Sequence, residues 1–188
     1  EYPDAIINII DGTNIERNLY LSTQLIELGI PVVMAVNMMD LVKKNGDSIN
    51  IKNLKESLGC EVVEISALKG TGINEVKEKA VAAAKAKAAN KIVHKFDDKV
   101  ETAIDSVSAK LDIEENKKRF FAIKLIEKDS KIIEQMKNVP DCSAEIKQLE
   151  DEFDDDTESI ITNERYSYIT SIIDKCLKKA SNGQKLTV

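Results

Sequence analysis

The sequence predicts an α/β fold, in which a parallel sheet of three strands with helices is followed by a small all-α bundle. Short apolar runs alternate with helical patterns up to about residue 87, and six of the seven glycines lie between Gly12 and Gly72. Six of the eight aromatic residues follow residue 90, which indicates a second core. Because glycine serves tight turns and a long glycine-free stretch favours helices, we expect two domains, residues 1–90 and 91–188.

The first domain is predicted to alternate strands and helices. The apolar runs that predict strands are Ala5–Ile10, Pro31–Val36 and Glu61–Ile65. The segments that predict helices are Thr13 to Gly29, Ile51–Leu58 and Ile73–Lys87. Ala5–Ile10 has the composition of a strand that is buried on both faces, and Thr13 with Glu16 has the spacing of a capping box. Short connections between strands and helices imply right-handed crossovers and a parallel sheet.

The second domain shows helical periodicity. The apolar spacing predicts helices that begin near Phe96, Phe120, Ile146 and Ile161, with a break at Lys128–Ser130. Several such helices in succession predict an antiparallel bundle.

The composition excludes several classes of protein. A net charge of -6 argues against a general binder of nucleic acid or anionic membranes, since no basic excess is present to neutralise phosphates. No apolar run approaches the roughly 20 residues that span a bilayer. Cys60, Cys142 and Cys176 form no CxxC pair, so we interpret them as buried apolar residues in a reducing compartment.

The candidate chemistry lies after the second and third predicted strands, because ligands of parallel sheets bind beyond the carboxyl ends of the strands. Asn37 and Asp40 follow one strand, and Ser66, Ala67 and Leu68 follow the next. A carboxylate at Asp40 can accept the N1–H and the exocyclic amine of guanine together, whereas adenine would leave it unpaired. We expect Asn37 to bind the base and tie the two loops together, and the Ala67 N–H to reach the guanine carbonyl oxygen.

These segments are similar to the NKxD and SA(K/L) motifs of Ras-like GTPases, with Met38 in the place of the usual lysine. Methionine can supply the same apolar contact to the purine face without the charge. Met38, together with Asp11–Asn14 and Leu28–Val33, closely resembles the FeoB family of ferrous iron transport proteins. The resemblance covers the whole chain and is most detailed over residues 3–80.

The FeoB resemblance implies a cytosolic GTPase domain, then a helical domain, then a transmembrane region of the same polypeptide. It implies that GTP or GDP binds through the motif residues Asn37, Met38, Asp40, Ser66, Ala67 and Leu68. The parent is then expected at the cytoplasmic face of the bacterial inner membrane, and the fragment itself is expected to be soluble.

The 188 residues contain no GxxxxGK(S/T), no switch threonine and no DxxG. Those motifs position the β- and γ-phosphates and Mg²⁺ in such GTPases. We therefore expect a truncated Ras-like sheet with no catalytic or metal-binding residue of its own. GTP hydrolysis and Mg²⁺ binding are expected in the intact parent only.

Two other functions stay open at this point. The chain can be a non-enzymatic interaction module in which the α/β domain supports the bundle. It can also be a Ras-like GTPase of the ribosome or tRNA-modification type, which Met38 and the net acidity disfavour.

The remaining polar residues receive structural interpretations. Asp11 and Asn14 are interpreted as turn and helix-start residues, and His94 as an exposed linker residue. The acidic run at residues 151–158 is interpreted as a solvated helix end rather than an iron site, since a helix N-terminus favours negative charge. The strand Ala5–Ile10 is expected to have an unpaired edge through which copies of the chain self-associate.

Overall fold

Nine α-helices and five β-strands make up the described part of the chain, residues 3–87 and 89–180 of the computed structural model. The strands are β1 (Ile6–Asp11), β2 (Val32–Asn37), β3 (Ser48–Ile49), β4 (Glu61–Glu64) and β5 (Leu177–Lys178). The helices are α1 (Ile15–Glu27), α2 (Met39–Lys44), α3 (Ile51–Leu58), α4 (Ile73–Ala86), α5 (Asp98–Ala109), α6 (Glu115–Ile126), α7 (Ser130–Gln135), α8 (Ser143–Phe153) and α9 (Thr157–Cys176).

The main sheet is parallel and has the strand order β1-β2-β4. Ile6 pairs with Val32 in one ladder, and Val33 pairs with Glu61 in the next. Because the three strands run in the same direction, the residues after them meet at one border of the sheet, which we call the carboxyl edge. The predicted fold class, a three-stranded parallel sheet with helices followed by a helical region, is confirmed.

Helices cover both faces of the central strand β2. On one face, Met34 lies in an apolar cluster with Leu54 of α3 and Ile172 of α9. On the other face, Ala35 lies in a cluster with Val76 of α4. The last helix of the chain therefore contributes to the core around the sheet as well as to the helical region.

One face of β1 differs from the prediction. Ile7 and Ile9 are 43% and 63% exposed, whereas Asn8 and Ile10 are buried. Ile9 pairs with Ala35, so it lies on the face that α4 covers over β2 but covers only in part over β1. The prediction that both faces of this strand are buried is wrong, because an apolar run does not show how far a covering helix extends across the sheet.

The start of α1 also differs from the prediction. The Asp11 carboxylate accepts hydrogen bonds from the Thr13 N–H at 2.8 Å and from the Thr13 hydroxyl at 2.7 Å. These bonds close a 3-10 turn over Gly12–Asn14, and α1 begins only at Ile15. The predicted capping box of Thr13 and Glu16 is wrong, because the N–H and the hydroxyl of Thr13 both donate to Asp11 instead.

The helices α5 to α9 pack around a second core. Its most deeply buried residues include Val100, Ile104, Ile123, Leu149 and Ile161. The predicted break at Lys128–Ser130 is confirmed, since α6 ends at Ile126, Lys128 has a φ of 58° and α7 starts at Ser130. The interpretation of the cysteines as buried residues is also confirmed, and all three are free thiols.

Charged residues are completely buried where the helical region meets the first part of the chain. Arg165 of α9 donates from Nη1 and Nη2 to the two carboxylate oxygens of Glu27, the last residue of α1, at 3.0 and 2.9 Å. His94 Nε2 lies 2.8 Å from the same carboxylate, and its ring stacks on Tyr168. We call Glu27, His94 and Arg165 the junction cluster. The interpretation of His94 as an exposed residue is wrong, because the segment before α5 packs its ring against the end of α1, where it is only 7% exposed.

The charges of the junction cluster compensate one another. Burial by itself would raise the pKa of Glu27, but the hydrogen bond to His94 and the charge and hydrogen bonds of Arg165 outweigh it and lower that pKa below its ordinary value of 4.5. Glu27 is therefore ionised at neutral pH, and it neutralises a guanidinium that is itself fully buried.

Candidate functional site at the carboxyl edge of the sheet

The segment Asn37–Asp40 forms the turn between β2 and α2. Asn37 is the last residue of β2, Met38 has a left-handed backbone with φ 63° and ψ 26°, and α2 begins at Met39. This turn places Asp40 in the first turn of α2, directly after the end of β2. The Met39 N–H donates to the carbonyl oxygen of Ile65 at 3.3 Å and so joins the turn to the end of β4.

The segment Ser66–Gly72 forms a closed loop after β4. Ser66 and Thr71 exchange two backbone hydrogen bonds, each of 3.2 Å. Glycine is required at Gly72, because its φ is 77° and a Cβ there would lie 2.2 Å from the Glu64 carbonyl oxygen. Leu68 at the tip of this loop is 93% exposed, whereas Ser66 at its base is buried.

A side-chain hydrogen bond joins the two loops. Asn37 Oδ1 accepts from the Ala67 N–H at 2.9 Å. Asn37 therefore ties the loops together, as predicted. The same bond occupies the Ala67 N–H, which we expected to be available to a guanine carbonyl oxygen.

The Asp40 carboxylate lies against the loop after β4. Its Oδ2 is 3.4 Å from Lys69 Nζ, and its side chain is only 17% exposed. The buried Ser66 hydroxyl makes no hydrogen bond to any other described residue. It nevertheless lies close enough to Asp40 to lower the pKa of that carboxyl below its usual value of 3.8. Burial opposes this shift, and Lys69 adds a further lowering. Asp40 is thus an ionised hydrogen-bond acceptor at neutral pH.

The turn at Asp11–Asn14 follows β1 and also lies at the carboxyl edge. A Cβ at Gly12 would lie 2.8 Å from the Asn37 carbonyl oxygen, so the turn packs directly on the end of β2. Asp11 also accepts from Asn14 Nδ2 at 3.1 Å, and the hydrogen bonds from Thr13 and Asn14 lower the pKa of Asp11. The carboxylate of Asp11 is used inside its own turn, which confirms the interpretation of Asp11 and Asn14 as turn and helix-start residues.

The structure places all six predicted residues on two adjoining loops. Asn37 and Asp40 each contact the loop after β4, and Met38 and Leu68 add apolar side chains that are 39% and 93% exposed. One ionised carboxylate, one amide and two exposed apolar groups thus lie at one edge. Such a set can bind a flat heterocycle that presents two adjacent N–H donors.

Comparisons with known proteins identify the family. The family model described as ferrous iron transport protein B matches residues 1–80, and the model of the FeoB cytosolic helical domain matches residues 96–178. A GDP-bound variant of the S. thermophilus FeoB G-domain is 38% identical, with a TM-score of 0.87, and the match covers 95% of this chain and 71% of that one. This chain belongs to the FeoB family.

Other FeoB proteins show how much of the family this sequence covers. The mGMPPNP-bound NFeoB from S. thermophilus is 39% identical with a TM-score of 0.82, and the match covers 93% of this chain and 68% of that one. The Fe(2+) transport protein A/Fe(2+) transporter FeoB fusion protein of Porphyromonas gingivalis is 32% identical over 91% of this chain and 22% of its own length. The Fe(2+) transporter FeoB of Escherichia coli K12 is 46% identical over 39% of this chain and 10% of its own length. The chain thus corresponds to a FeoB GTP-binding domain with a cytosolic helical domain, and it spans a minor part of the curated FeoB proteins that it matches.

Two features of this FeoB chain were not assigned from the sequence. Lys69 follows Leu68 directly, and its contact with Asp40 depends on how the loop after β4 folds. The junction cluster joins residues that are 67 and 138 positions apart. Two sequence signals could have indicated this cluster: Arg165 is a charged residue on an apolar helix face, and His94 is the one histidine of the chain.

The acidic run of this FeoB chain serves as a helix start. Asp156 Oδ1 accepts from the Ser159 N–H at 2.9 Å and caps α9, as the interpretation of the run predicts. Throughout the described residues, no group of three or more His, Cys, Asp or Glu side chains is arranged to hold a metal ion. Within the same residues, none of the helices combines the length and the apolar character that crossing a membrane requires.

Proposed function

We propose that this chain binds the guanine base of GTP and GDP at the carboxyl edge, as the base-recognition half of the GTPase domain of a ferrous iron transporter. The residues proposed to bind the base are Asn37, Met38, Asp40, Ser66, Ala67 and Leu68. The observation that carries the proposal is the ionised and largely shielded carboxylate of Asp40 beside the Asn37–Ala67 hydrogen bond.

The hydrogen-bonding groups of this edge fit guanine better than adenine. Guanine presents its N1–H and its exocyclic amine side by side, and the two oxygens of Asp40 can accept both. Adenine lacks this pair of donors, so it would leave an ionised carboxylate without a partner. When the guanine carbonyl oxygen takes the Ala67 N–H, it replaces Asn37 Oδ1 and releases the Asn37 amide to bind the base.

Met38 and Leu68 supply the apolar contacts in this proposal. Both side chains are exposed at the loops that carry the polar groups. A thioether is polarisable and adapts its shape, so Met38 can pack on a purine face where a lysine stem does so in other GTPases. The S. thermophilus relatives with bound GDP and mGMPPNP support guanine nucleotides as the ligands.

We propose that GTP hydrolysis and Mg²⁺ binding belong to the full-length polypeptide. The 188 residues contain no GxxxxGK(S/T) motif, and positioning of the phosphates and the metal supplies most of the catalysis in phosphoryl transfer. The role of this chain in the reaction is then to hold the base while other residues hold the phosphates.

We further propose that the helical region links the nucleotide site to a transmembrane region of the same polypeptide, at the cytoplasmic face of the bacterial inner membrane. Three contacts hold the end of α9 beside α2. The strand β5 pairs with β3, and the Asn50 N–H donates to the Cys176 carbonyl oxygen at 2.7 Å. The Ala180 N–H donates to the Asp47 carboxylate at 2.8 Å. Because Asp40 lies at the start of α2, the end of the helical region is one short helix away from the carboxylate proposed to bind the base.

A nucleotide titration of the 188-residue chain tests the base site. We expect GDP to bind with a Kd of about 1 mM, because contacts to the base must offset the entropy of association without the phosphate contacts. Amide NMR is the measurement, and the signals of Ala67 and Leu68 are expected to shift with GDP. ADP at the same concentration serves as the control, and equal shifts with ADP would contradict a guanine site.

Self-association through β1 is a separate expectation for the 188-residue chain. Among the described strands, β1 pairs with β2 alone, and the side chain of Ile9 within β1 is 63% exposed. An unpaired apolar edge strand is a template for another chain. We expect Ile9→Lys, or Ile7→Lys, to weaken dimer formation by about tenfold or more, since pairing would bury the lysine charge.

Sedimentation velocity over a concentration series measures this association. Val81→Lys is the matched control, because Val81 is an exposed apolar residue of α4 and not of β1. A monomeric wild type at high concentration, with β1 protected from amide exchange, would show that this edge does not mediate association.

A further inference from the structure

We propose that Lys69 is a built-in competitor of the guanine base: its ammonium group occupies the Asp40 carboxylate when no nucleotide is bound and must leave before the base binds. The inference rests on the proposed function and adds a residue that tunes affinity at the same site. It assigns to Lys69 an effect opposite to that of the six residues proposed to bind the base.

The contact between Lys69 and Asp40 carries the inference. Lys69 Nζ lies 3.4 Å from Asp40 Oδ2, and the Asp40 side chain is only 17% exposed. A shielded carboxylate offers few positions for an incoming donor, and the ammonium lies at one of its two oxygens. Ammonium and the guanine N–H groups are all donors to carboxylate oxygens, so they compete for the same lone pairs.

The loop after β4 holds Lys69 in this position. The Lys69 N–H donates to the Ser66 carbonyl oxygen at 3.1 Å, and the Ser66–Thr71 pair closes the loop beneath it. The buried Ser66 hydroxyl also faces Asp40. The same loop therefore supplies both the surroundings of the carboxylate and the cation that occupies it.

Lys69 can also leave the carboxylate easily. Its side chain is 61% exposed, so water can solvate the ammonium once the contact breaks. The next residue, Gly70, has a φ of 69° and open space where a Cβ would lie, which leaves the chain beside Lys69 room to move. Because the base then binds only to molecules in which Asp40 is unoccupied, the apparent affinity is the intrinsic affinity multiplied by the fraction of such molecules.

The test compares GDP binding by variants of the full-length protein. We expect Lys69→Met to bind GDP about 2- to 5-fold more tightly than the wild type, as expected for removal of one largely exposed ion pair. Lys69→Arg keeps the charge and is expected to behave like the wild type. Lys43→Met is the matched control, because Lys43 is a 65% exposed lysine of α2 that pairs with Glu64 at 2.7 Å and not with Asp40. Raising the salt concentration is expected to narrow the difference between Lys69→Met and the wild type, since salt screens exposed charges.

A second measurement needs no nucleotide. Carboxyl NMR of the 188-residue chain follows the titration of Asp40, whose pKa Lys69 helps to lower. Lys69→Met is expected to raise this pKa, and Lys43→Met to leave it unchanged. An Asp40 pKa that does not move in Lys69→Met, or GDP binding no tighter than in Lys43→Met, would overturn the inference.

Adding Asp40→Asn to the same binding experiment separates this inference from the proposed function. If Asp40→Asn abolishes the preference for guanine while Lys69→Met changes nothing, the base site stands and Lys69 is not a competitor. If Asp40→Asn leaves the guanine preference intact, the proposed function itself fails.

Discussion

Glu27→Gln is expected to lower the free energy of unfolding by about 3 to 5 kcal/mol, the usual effect of removing one partner from a buried ion pair. Glutamine keeps the size of the side chain but removes the charge that faces Arg165. Arg165 is completely buried, and another carboxylate near it, Glu127, lies 3.7 Å from its Nε. Because Glu127 is also paired with Lys124, it would compensate the buried guanidinium only in part. Urea denaturation followed by circular dichroism measures the change.

Two controls distinguish loss of the ion pair from general damage to the fold. The double variant Glu27→Leu with Arg165→Met removes both charges and is expected to recover most of the lost stability, because apolar replacements of buried pairs are often neutral. Lys43→Met removes an exposed ion pair and is expected to change stability by no more than about 1 kcal/mol. A double variant as unstable as Glu27→Gln would indicate that shape, and not charge, dominates this junction.

The stabilisation by Glu27 also depends on pH in a defined direction. The pKa of Glu27 is lower in the folded chain than its ordinary value of 4.5, so the unfolded chain binds more protons as the pH falls. The contribution of Glu27 to the free energy of unfolding is therefore fully present when the pH is above the ordinary pKa of 4.5. It is lost as the pH falls toward and through the lowered pKa of the folded chain. The difference in unfolding free energy between the wild type and Glu27→Gln is expected to shrink over this acidic range.

The fold could be predicted because its signals are local. Gly29 and Gly59 end helices where expected, each with a positive φ, and the apolar run of β2 is the central buried strand. The residues of the carboxyl edge were also predictable, because the topology of a parallel sheet brings the ends of its strands together. Asn37 and Ala67 meet for this reason although they are 30 positions apart.

The features that escaped prediction depend on long-range packing. His94 could not be placed from sequence, because its burial arises from Glu27 and Tyr168, which belong to distant helices. The exposure of Ile9 depends on the reach of α4 across the sheet. The Lys69–Asp40 contact depends on the path of a closed loop, which a motif of residue types does not specify.

Asp40→Asn in the full-length protein is expected to change the base preference from guanine to xanthine. Xanthine carries a carbonyl oxygen where guanine carries its exocyclic amine. The amide that replaces the Asp40 carboxylate can donate to that oxygen from Nδ2 while its Oδ1 accepts from N1–H, so the pairing is restored with one donor and one acceptor exchanged. We expect the ratio of GDP affinity to XDP affinity to fall by about 10- to 100-fold or more, the effect of mismatching one bidentate base contact.

Competition binding with GDP, XDP and ADP measures this change in preference. Glu64→Gln is the control, because Glu64 is a carboxylate at the end of β4 that pairs with Lys43 and is not among the residues proposed to bind the base. It is expected to keep the guanine preference of the wild type. A weaker GDP affinity in Asp40→Asn with no gain for XDP would mean that Asp40 supports the loops rather than the base, since only a direct contact exchanges one base for the other. The gain for XDP therefore distinguishes a residue that touches guanine from one that only holds the carboxyl edge in shape.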